Sequence, residues 1–222
     1  MDSEHRVINV TWRAPAIFEL IAERDGLAFV PGDCVAAFNA DLTESRPYSI
    51  ASGQSEDQLR LLIRHMPGGI LSTWLSERRP GDTIELSKPF GWFRPGQSNG
   101  GNTSFVFIAT GTGIAPFLSY LHSVDDQPPV QCLYGVRTFT DGVYIDFIRG
   151  KCPLTLAVSR EAVDDCHHGR VTALLEQLPL NDSTHFYLCG LDAMIDESSE
   201  WLEDHGVDFA NIHREVFFHA SS

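Results

Sequence analysis

Six short stretches combine residue types that could do chemistry. "SRPYS", 45–49, sets a cation, an aromatic ring and a hydroxyl within the four positions Arg46 to Ser49. In a strand, residues two apart share a face, so Arg46 and Tyr48 point one way and Pro47 and Ser49 the other. That is either an ordinary exposed strand or a grip on a flat ligand that carries phosphate. "FIATGTGIAP", 107–116, reads as a strand, a glycine turn and a helix start. Gly111 and Gly113 would let the backbone approach a ligand closely, and the free N–H groups and dipole of the helix start favour an anion. No Gly-Lys-Ser/Thr follows, so this is not a P-loop. Pro116 stands where GxGxxG has its last glycine, so the motif alone leaves a dinucleotide site and a plain tight turn both open.

The other four stretches read in the same two ways. In "MPGGILSTWL", 66–75, Gly68 and Gly69 precede a helix whose first turn carries Ser72 and Thr73, which is a second anion site or a capped surface helix. "AVSRE" ends a strand with Ser159 and Arg160, and "HHGRVT" sets Arg170 ahead of a helix. These three residues could converge on one phosphate through charge-assisted hydrogen bonds, or be ordinary surface groups. "YLCG" brings Cys189 and Gly190 to the end of a strand, the edge at which open α/β sheets hold ligands. A buried, inert cysteine is the alternative there.

The elements that must position these residues fall into two textures. Up to about residue 93 the chain reads as short strands between turns: "HRVINVTWRA", "IFELIAE", "YSIAS", "QLRLLIRHM" and "DTIELSKPFGWF", with turns at Asp25–Gly26 and Pro31–Gly32. This pattern predicts a small antiparallel β-barrel, interrupted by one helix in "GGILSTWLSERRPGD". "RPGQSNGGNT", 94–103, is the linker candidate. Beyond it, continuous apolar runs ("SFVFIAT", "VQCLYGV", "LTLAVS", "HFYLCG") alternate with helix-like "PFLSYLHSV", "VTALLEQL" and "MIDESSEWLEDHG", and the chain finishes on a short strand, "REVFF". Alternating strands and helices predict a parallel sheet covered on both faces. The expected domains are 1–97 and 102–222.

Composition narrows the function classes. The 222 residues carry 43% hydrophobic and 21% charged side chains, as globular chains do. A formal charge of −14 argues against nucleic acid as the main partner. Lys88 and Lys151 are the only lysines. The five cysteines, 34, 132, 152, 166 and 189, form no CxxC pair, so we expect no zinc or iron–sulfur site and reduced thiols in a cytoplasmic protein. The N-terminus lacks the apolar core of a signal peptide, and no apolar run approaches the roughly 20 residues of a membrane span.

Taken in order, Arg-Pro-Tyr-Ser, Gly-Gly-x-x-Ser, Gly-Thr-Gly-Ile-Ala-Pro, Ser-Arg-Glu with a following Gly-Arg, Cys-Gly and Glu-Val-Phe resemble the ferredoxin–NADP reductase family, from about residue 5 to 218. The resemblance implies an FAD-binding barrel followed by an NADP-binding α/β domain. By likeness, Arg46, in the motif with Pro47, holds the FAD pyrophosphate, Tyr48 covers the isoalloxazine ring and Ser49 hydrogen-bonds near its N5 atom. Leu62 and Arg64 line the ribityl side, while Gly69, Ile70, Leu71 and Ser72 close on the pyrophosphate. Thr112, between Gly111 and Gly113, sits between flavin and nucleotide, and Arg137 meets the nucleotide's phosphates. Ser159, Arg160 and Arg170 match positions that read the 2′-phosphate of NADP. Cys189, beside Gly190, and Glu215 match the pair next to the nicotinamide.

Phe217 falls where many relatives end on a tyrosine over the flavin, and FMN is the alternative to FAD. The expected catalytic residues are Ser49, Cys189 and Glu215. The expected reaction passes a hydride from NADPH to FAD and then single electrons to a separate carrier: ferredoxin, flavodoxin or an oxygenase component. At −14 the chain would repel an acidic ferredoxin, so either arginines form a local docking patch or the partner differs. The rival readings are a reductase component of an oxygenase and a non-catalytic flavin-binding module.

Overall fold

The computed structural model describes residues 3–96 and 104–216. The chain divides into two compact units, Met1–Arg94 with Ala115–Ser123 and Pro95–Ile114 with Val124–Ser222.

The first unit is an antiparallel barrel. Its strands are β1 (Ser3–Ala14), β2 (Ile17–Glu23), β3 (Cys34–Phe38), β4 (Ser45–Ser49), β5 (Gln58–Arg64) and β6 (Thr83–Leu86), in the spatial order β4-β3-β6-β1-β2-β5. The two outer strands meet: Ile50, just past β4, bridges Leu61 of β5, and Ala51 N–H donates to Arg60 O at 2.9 Å. Closure removes the unpaired edges that an open sheet would leave. Alternation along the strands sends Phe18, Leu20 and Ala22 of β2, Val35 and Ala37 of β3, Leu59, Leu61 and Ile63 of β5, and Ile84 and Leu86 of β6 into one core. Leu62 and Arg64 therefore face away from it.

Helix α1 (Ile70–Ser76) adds Leu71 and Leu75 to that core. Helix α2 (Ala115–Ser123) groups with the barrel although it follows in sequence a strand of the other unit. Ser119 Oγ donates to Ser52 O at 2.8 Å, Gln54 N–H donates to Ser123 Oγ at 2.9 Å, and the Phe93 and Phe117 rings lie 5.7 Å apart.

The second unit is a parallel sheet of β7 (Ser104–Thr110), β8 (Gln131–Val136), β9 (Leu154–Val158), β10 (His167–His168), β11 (Thr184–Gly190) and β12 (Ile212–Val216), ordered β10-β9-β8-β7-β11-β12. The chain starts in the middle at β7, walks outward to β10, then returns to the other side of β7. That reversal is a topological switch point, where open α/β sheets leave a crevice for ligands. One face packs Val106, Ile108, Leu133, Phe186 and Leu188 beneath Leu174, Leu175 and helix α4 (Asp192–Asp204).

Three local expectations differ from the structure. "VTALLEQL" winds as a 3₁₀ segment, Val171–Gln177, with i→i−3 bonds from Ala173 N–H to Arg170 O at 3.1 Å and from Leu178 N–H to Leu175 O at 3.0 Å, and Pro179 keeps Leu178 extended. Helix α3 (Ile145–Lys151) was not anticipated. It is short, contains Gly150 and starts from a left-handed Tyr144 at φ 58°, all of which weaken its local signal. The two-residue β10 is too brief to show periodicity. The linker candidate lies largely outside the described residues. Among the described residues no helix is long and apolar enough to cross a membrane, and no group of three or more His, Cys, Asp or Glu side chains is gathered as for a metal ion.

Candidate functional site

In the barrel, register puts Val35 opposite Tyr48, Ala37 opposite Arg46 and Cys34 opposite Ser49. Arg46 and Tyr48 therefore share a face, as the strand period requires. Tyr48 is half-buried against the core, and this burial pushes its phenol up to about 12, so it stays a protonated donor at neutral pH. Arg46 pairs with Glu44 at 3.0 Å and donates to Ser45 O at 2.9 Å. Ser49 is buried, with Oγ 3.6 Å from Cys34 Sγ, while Pro47 is exposed.

At α1, Thr73 N–H is the donor to Gly69 O, at 3.2 Å. The N–H groups of Ile70, Leu71 and Ser72 are then the helix's terminal donors. Ser72 Oγ accepts from Met66 N–H at 3.1 Å, and a Cβ on Gly69 would stand 2.9 Å from that oxygen. The Ser72 hydroxyl thus shapes the turn. A Cβ on Gly68 would meet nothing within 4 Å, so there is open space over the same turn. Donors and space together fit a bound phosphate group.

In the sheet unit, the turn Gly111–Ile114 leaves β7 at the switch point. A Cβ on Gly113 would lie 2.3 Å from Cys189 O and 2.6 Å from Gly190 Cα. On Gly190 it would lie 2.2 Å from Thr110 Oγ1. Only glycine lets these two backbones touch. Leu191 N–H donates to Thr110 Oγ1 at 2.9 Å, and the Tyr134 hydroxyl donates to Gly111 O at 3.1 Å. The turn is thereby locked, with Gly111 and Thr112 at its rim. The open position over Gly111, where a Cβ would meet nothing within 4 Å, fits a nucleotide lying across the turn.

Cys189 and Glu215 are register neighbours on β11 and β12, and Cys189 Sγ donates to Glu215 Oε2 at 3.6 Å. Cys189 is fully buried and Glu215 half-exposed. On the same face, His185 Nδ1 and His213 Nε2 share a hydrogen bond of 2.9 Å, and burial lowers the pKa of each.

The ends of β8 and β9 are stitched together. Ser159 N–H donates to Val136 O at 3.1 Å, Ser159 Oγ to the same oxygen at 3.3 Å, and Arg160 N–H to Arg137 O at 2.9 Å. Gly169 N–H donates to Val158 O at 2.9 Å, which brings Arg170 to the same edge. Among the described residues no carboxylate lies within 4.0 Å of the guanidinium groups of Arg137, Arg160 or Arg170. That is notable in a chain with 30 acidic and 16 basic side chains, and it makes this edge an anion-attracting one.

Gly113, Cys189, Gly190 and Glu215 come together at one end of the sheet. Arg137, Ser159, Arg160 and Arg170 gather along the same edge, and Phe217 lies outside the described residues. Sequence reading passed over Thr110, Tyr134 and Cys34. Each sits in an apolar run, and only a long-range contact distinguishes it from core.

The oxidoreductase FAD-binding domain profile matches residues 10–94, and the oxidoreductase NAD-binding domain profile matches 107–200. Barrel, parallel sheet and these matches define the paired FAD-binding and NAD-binding modules of flavin and nicotinamide-nucleotide oxidoreductases. The toluate 1,2-dioxygenase electron transfer component of Pseudomonas putida is 30% identical over 207 residues, 88% of this chain and 61% of that protein. The Amycolatopsis cytochrome P450 reductase structure matches with a TM-score of 0.89 at 26% identity, covering 100% of this chain and 71% of that one. A ferredoxin NADP+ reductase from Neisseria gonorrhoeae, solved with FAD and NADP, shares the fold with a TM-score of 0.88 at 22% identity, covering 98% and 99% of the two chains. The chain belongs to the ferredoxin–NADP reductase family of flavin and NAD(P) oxidoreductases. It spans about three fifths of the length of the curated relatives it matches, 61% and 60% for the first two.

Proposed function

We propose that this protein is an NADPH-dependent flavoenzyme that passes electrons singly to a separate carrier protein, with the flavin held within 1–97 and the nucleotide within 102–222. The observation that carries the reading is the Cys189–Glu215 pair at 3.6 Å, set beside the glycine-locked switch point. A protein that merely stored flavin would need neither. When bound, the flavin supplies acceptance of a hydride and release of electrons one at a time.

The chain's own residues bind, align and handle protons. Arg46 and the N–H groups of Ile70, Leu71 and Ser72 hold a diphosphate, which favours FAD over FMN. Tyr48 covers the ring, Ser49 donates to its reactive edge, and Leu62 and Arg64 flank the chain between ring and diphosphate. Gly111, Thr112 and Gly113 carry the nucleotide across the switch point, and Arg137 meets its phosphates. Ser159, Arg160 and Arg170 select the 2′-phosphate, because an unpaired guanidinium gains most from a dianion. Cys189 seats the nicotinamide, and Glu215 holds or delivers the proton.

One named relative is the electron transfer component of a dioxygenase, which supports an oxygenase component or its carrier as the acceptor. Five cysteines outside any disulfide support a cytoplasmic setting. The test is an anaerobic titration of the purified protein, which is expected to be yellow and to bleach on adding NADPH. A colourless protein that takes up no added FAD refutes the reading, and flavin binding without bleaching reduces it to a flavin-binding module.

A further inference from the structure

The chain beyond β6 holds two aromatic side chains out in water. Trp92 is 97% exposed and Phe90 48%. The backbone beneath them is held by hydrogen bonds and an ion pair. Phe90 N–H donates to Cys34 O at 2.9 Å, and Cys34 N–H donates to Phe90 O at 2.7 Å. Arg94 donates from Nη2 to Gly91 O at 2.8 Å and from Nη1 to Phe93 O at 2.7 Å, and pairs with Asp33 at 2.9 Å. Phe93 is buried against Phe117. The peptide group before Trp92 and the one after Phe93 are therefore braced, while the indole is exposed. A hydrated indole contributes nothing to the barrel, but one on a fixed backbone loses little entropy on docking, as aromatic anchors at interfaces do.

Position and charge say what would dock. Cys34 lies opposite both Phe90 and Ser49, so the three form one row across neighbouring strands, about 5 Å per step. Arg46 is three residues back along β4, about 10 Å away. Resting on the function proposed above, with the ring at Ser49 and the diphosphate at Arg46, the loop lies two strand spacings from the residue proposed to face the ring. Lys88, one of only two lysines, is exposed two residues before Phe90 and has no carboxylate within 4.0 Å among the described residues. The patch is thus apolar with a cation at its rim, in a chain whose net charge of −14 repels acidic proteins elsewhere.

We propose that Lys88, Phe90 and Trp92 form the docking point for the one-electron carrier, an acidic protein whose apolar contact face seats on the indole and whose carboxylates meet Lys88. Each carrier takes one electron. Two dockings drain the pair from one NADPH, giving NADP+, one proton and two reduced carriers.

The test compares the flavin-loaded wild type, Trp92→Ala, Trp92→Phe and Lys88→Glu in NADPH-driven reduction of two acceptors, ferricyanide and an acidic [2Fe–2S] ferredoxin. Trp92→Ala is expected to raise the KM for ferredoxin tenfold or more, with ferricyanide reduction and the KM for NADPH unchanged. Trp92→Phe should recover most of the loss. Lys88→Glu should also raise the ferredoxin KM, by a factor that shrinks as salt is added. Unchanged ferredoxin kinetics in Trp92→Ala overturn the proposal. So does a raised KM for NADPH, which would put Trp92 with the nucleotide, and so does a wild type that reduces ferricyanide but not ferredoxin. A wild type that reduces neither acceptor defeats the oxidoreductase reading itself, and the docking point with it.

Discussion

Replacing Gly113 by alanine isolates the contact on which the switch point depends. The new Cβ would lie 2.3 Å from Cys189 O, 2.6 Å from Cys189 C and 2.6 Å from Gly190 Cα. All three obstacles are backbone atoms of β11, which is paired in register with β7, so no side chain can rotate aside. Overpacking ordinarily costs about 1–3 kcal/mol, and the lack of any soft neighbour puts this substitution at about 3 kcal/mol or more. Gly111 is the internal control, two residues earlier in the same turn. A Cβ there would meet nothing within 4 Å, and its φ of +54° penalises alanine only through backbone conformation, by about 1–2 kcal/mol. For a chain of this size each kcal/mol lowers the Tm by about 2–4 °C, so Gly113→Ala should lower it by about 6–12 °C and Gly111→Ala by about 2–8 °C. Calorimetry of both variants alongside wild type reads the difference, and NADPH titration should show binding lost in Gly113→Ala. A Gly113→Ala protein as stable as Gly111→Ala would refute the close approach of the two backbones.

Other substitutions probe the proposed chemistry. Arg160→Ala should raise the KM for NADPH about 10- to 150-fold, the equivalent of one lost charge-assisted contact of about 1.5–3 kcal/mol, while barely changing that for NADH. Equal effects on the two nucleotides would remove Arg160 from 2′-phosphate recognition. Glu215→Gln should slow flavin reduction about 100-fold in stopped-flow mixing and leave FAD affinity intact, and an unchanged rate would strip Glu215 of its proton role. His185 and His213 have pKa values lowered by burial from 6.5, so between the folded and unfolded values the folded chain binds fewer protons. The stability they allow is complete above about pH 6.5 and is lost as pH falls through the lowered values. Melting curves between pH 7.5 and 5.5 should therefore decline more steeply for wild type than for His213→Gln. Parallel declines would mean that the pair does not titrate in this window.

Much of the architecture was readable from local pattern. The alternation in "QLRLLIRHM" marks a strand because its period of two is written in neighbouring residues, and the run "SFVFIAT" followed by Gly-Thr-Gly marks a strand-to-turn junction for the same reason. Helix α4 showed its spacing in "MIDESSEWLEDHG". The pattern misled at "VTALLEQL", where helical spacing was present but the segment closed in 3₁₀ turns. In "PFGWF" four apolar residues of five look alike, yet Phe93 is buried and Trp92 stands in water. Burial depends on which backbone groups Arg94 and Cys34 hold, not on side-chain type.

By itself, the sequence determined the two textures, the places where glycine interrupts them, and the order of motifs that marks the family. All of these rest on interactions between residues a few positions apart or on residue identity. Only the tertiary structure decided that Ile50 closes the barrel on Leu61, that α2 groups with the barrel, that Cys189 and Glu215 stand side by side, and that Arg137, Arg160 and Arg170 gather at one edge with no carboxylate within 4.0 Å among the described residues. Each of these is a pairing across tens of residues, set by strand register and chain reversal, and no local period encodes which distant partner a residue will meet.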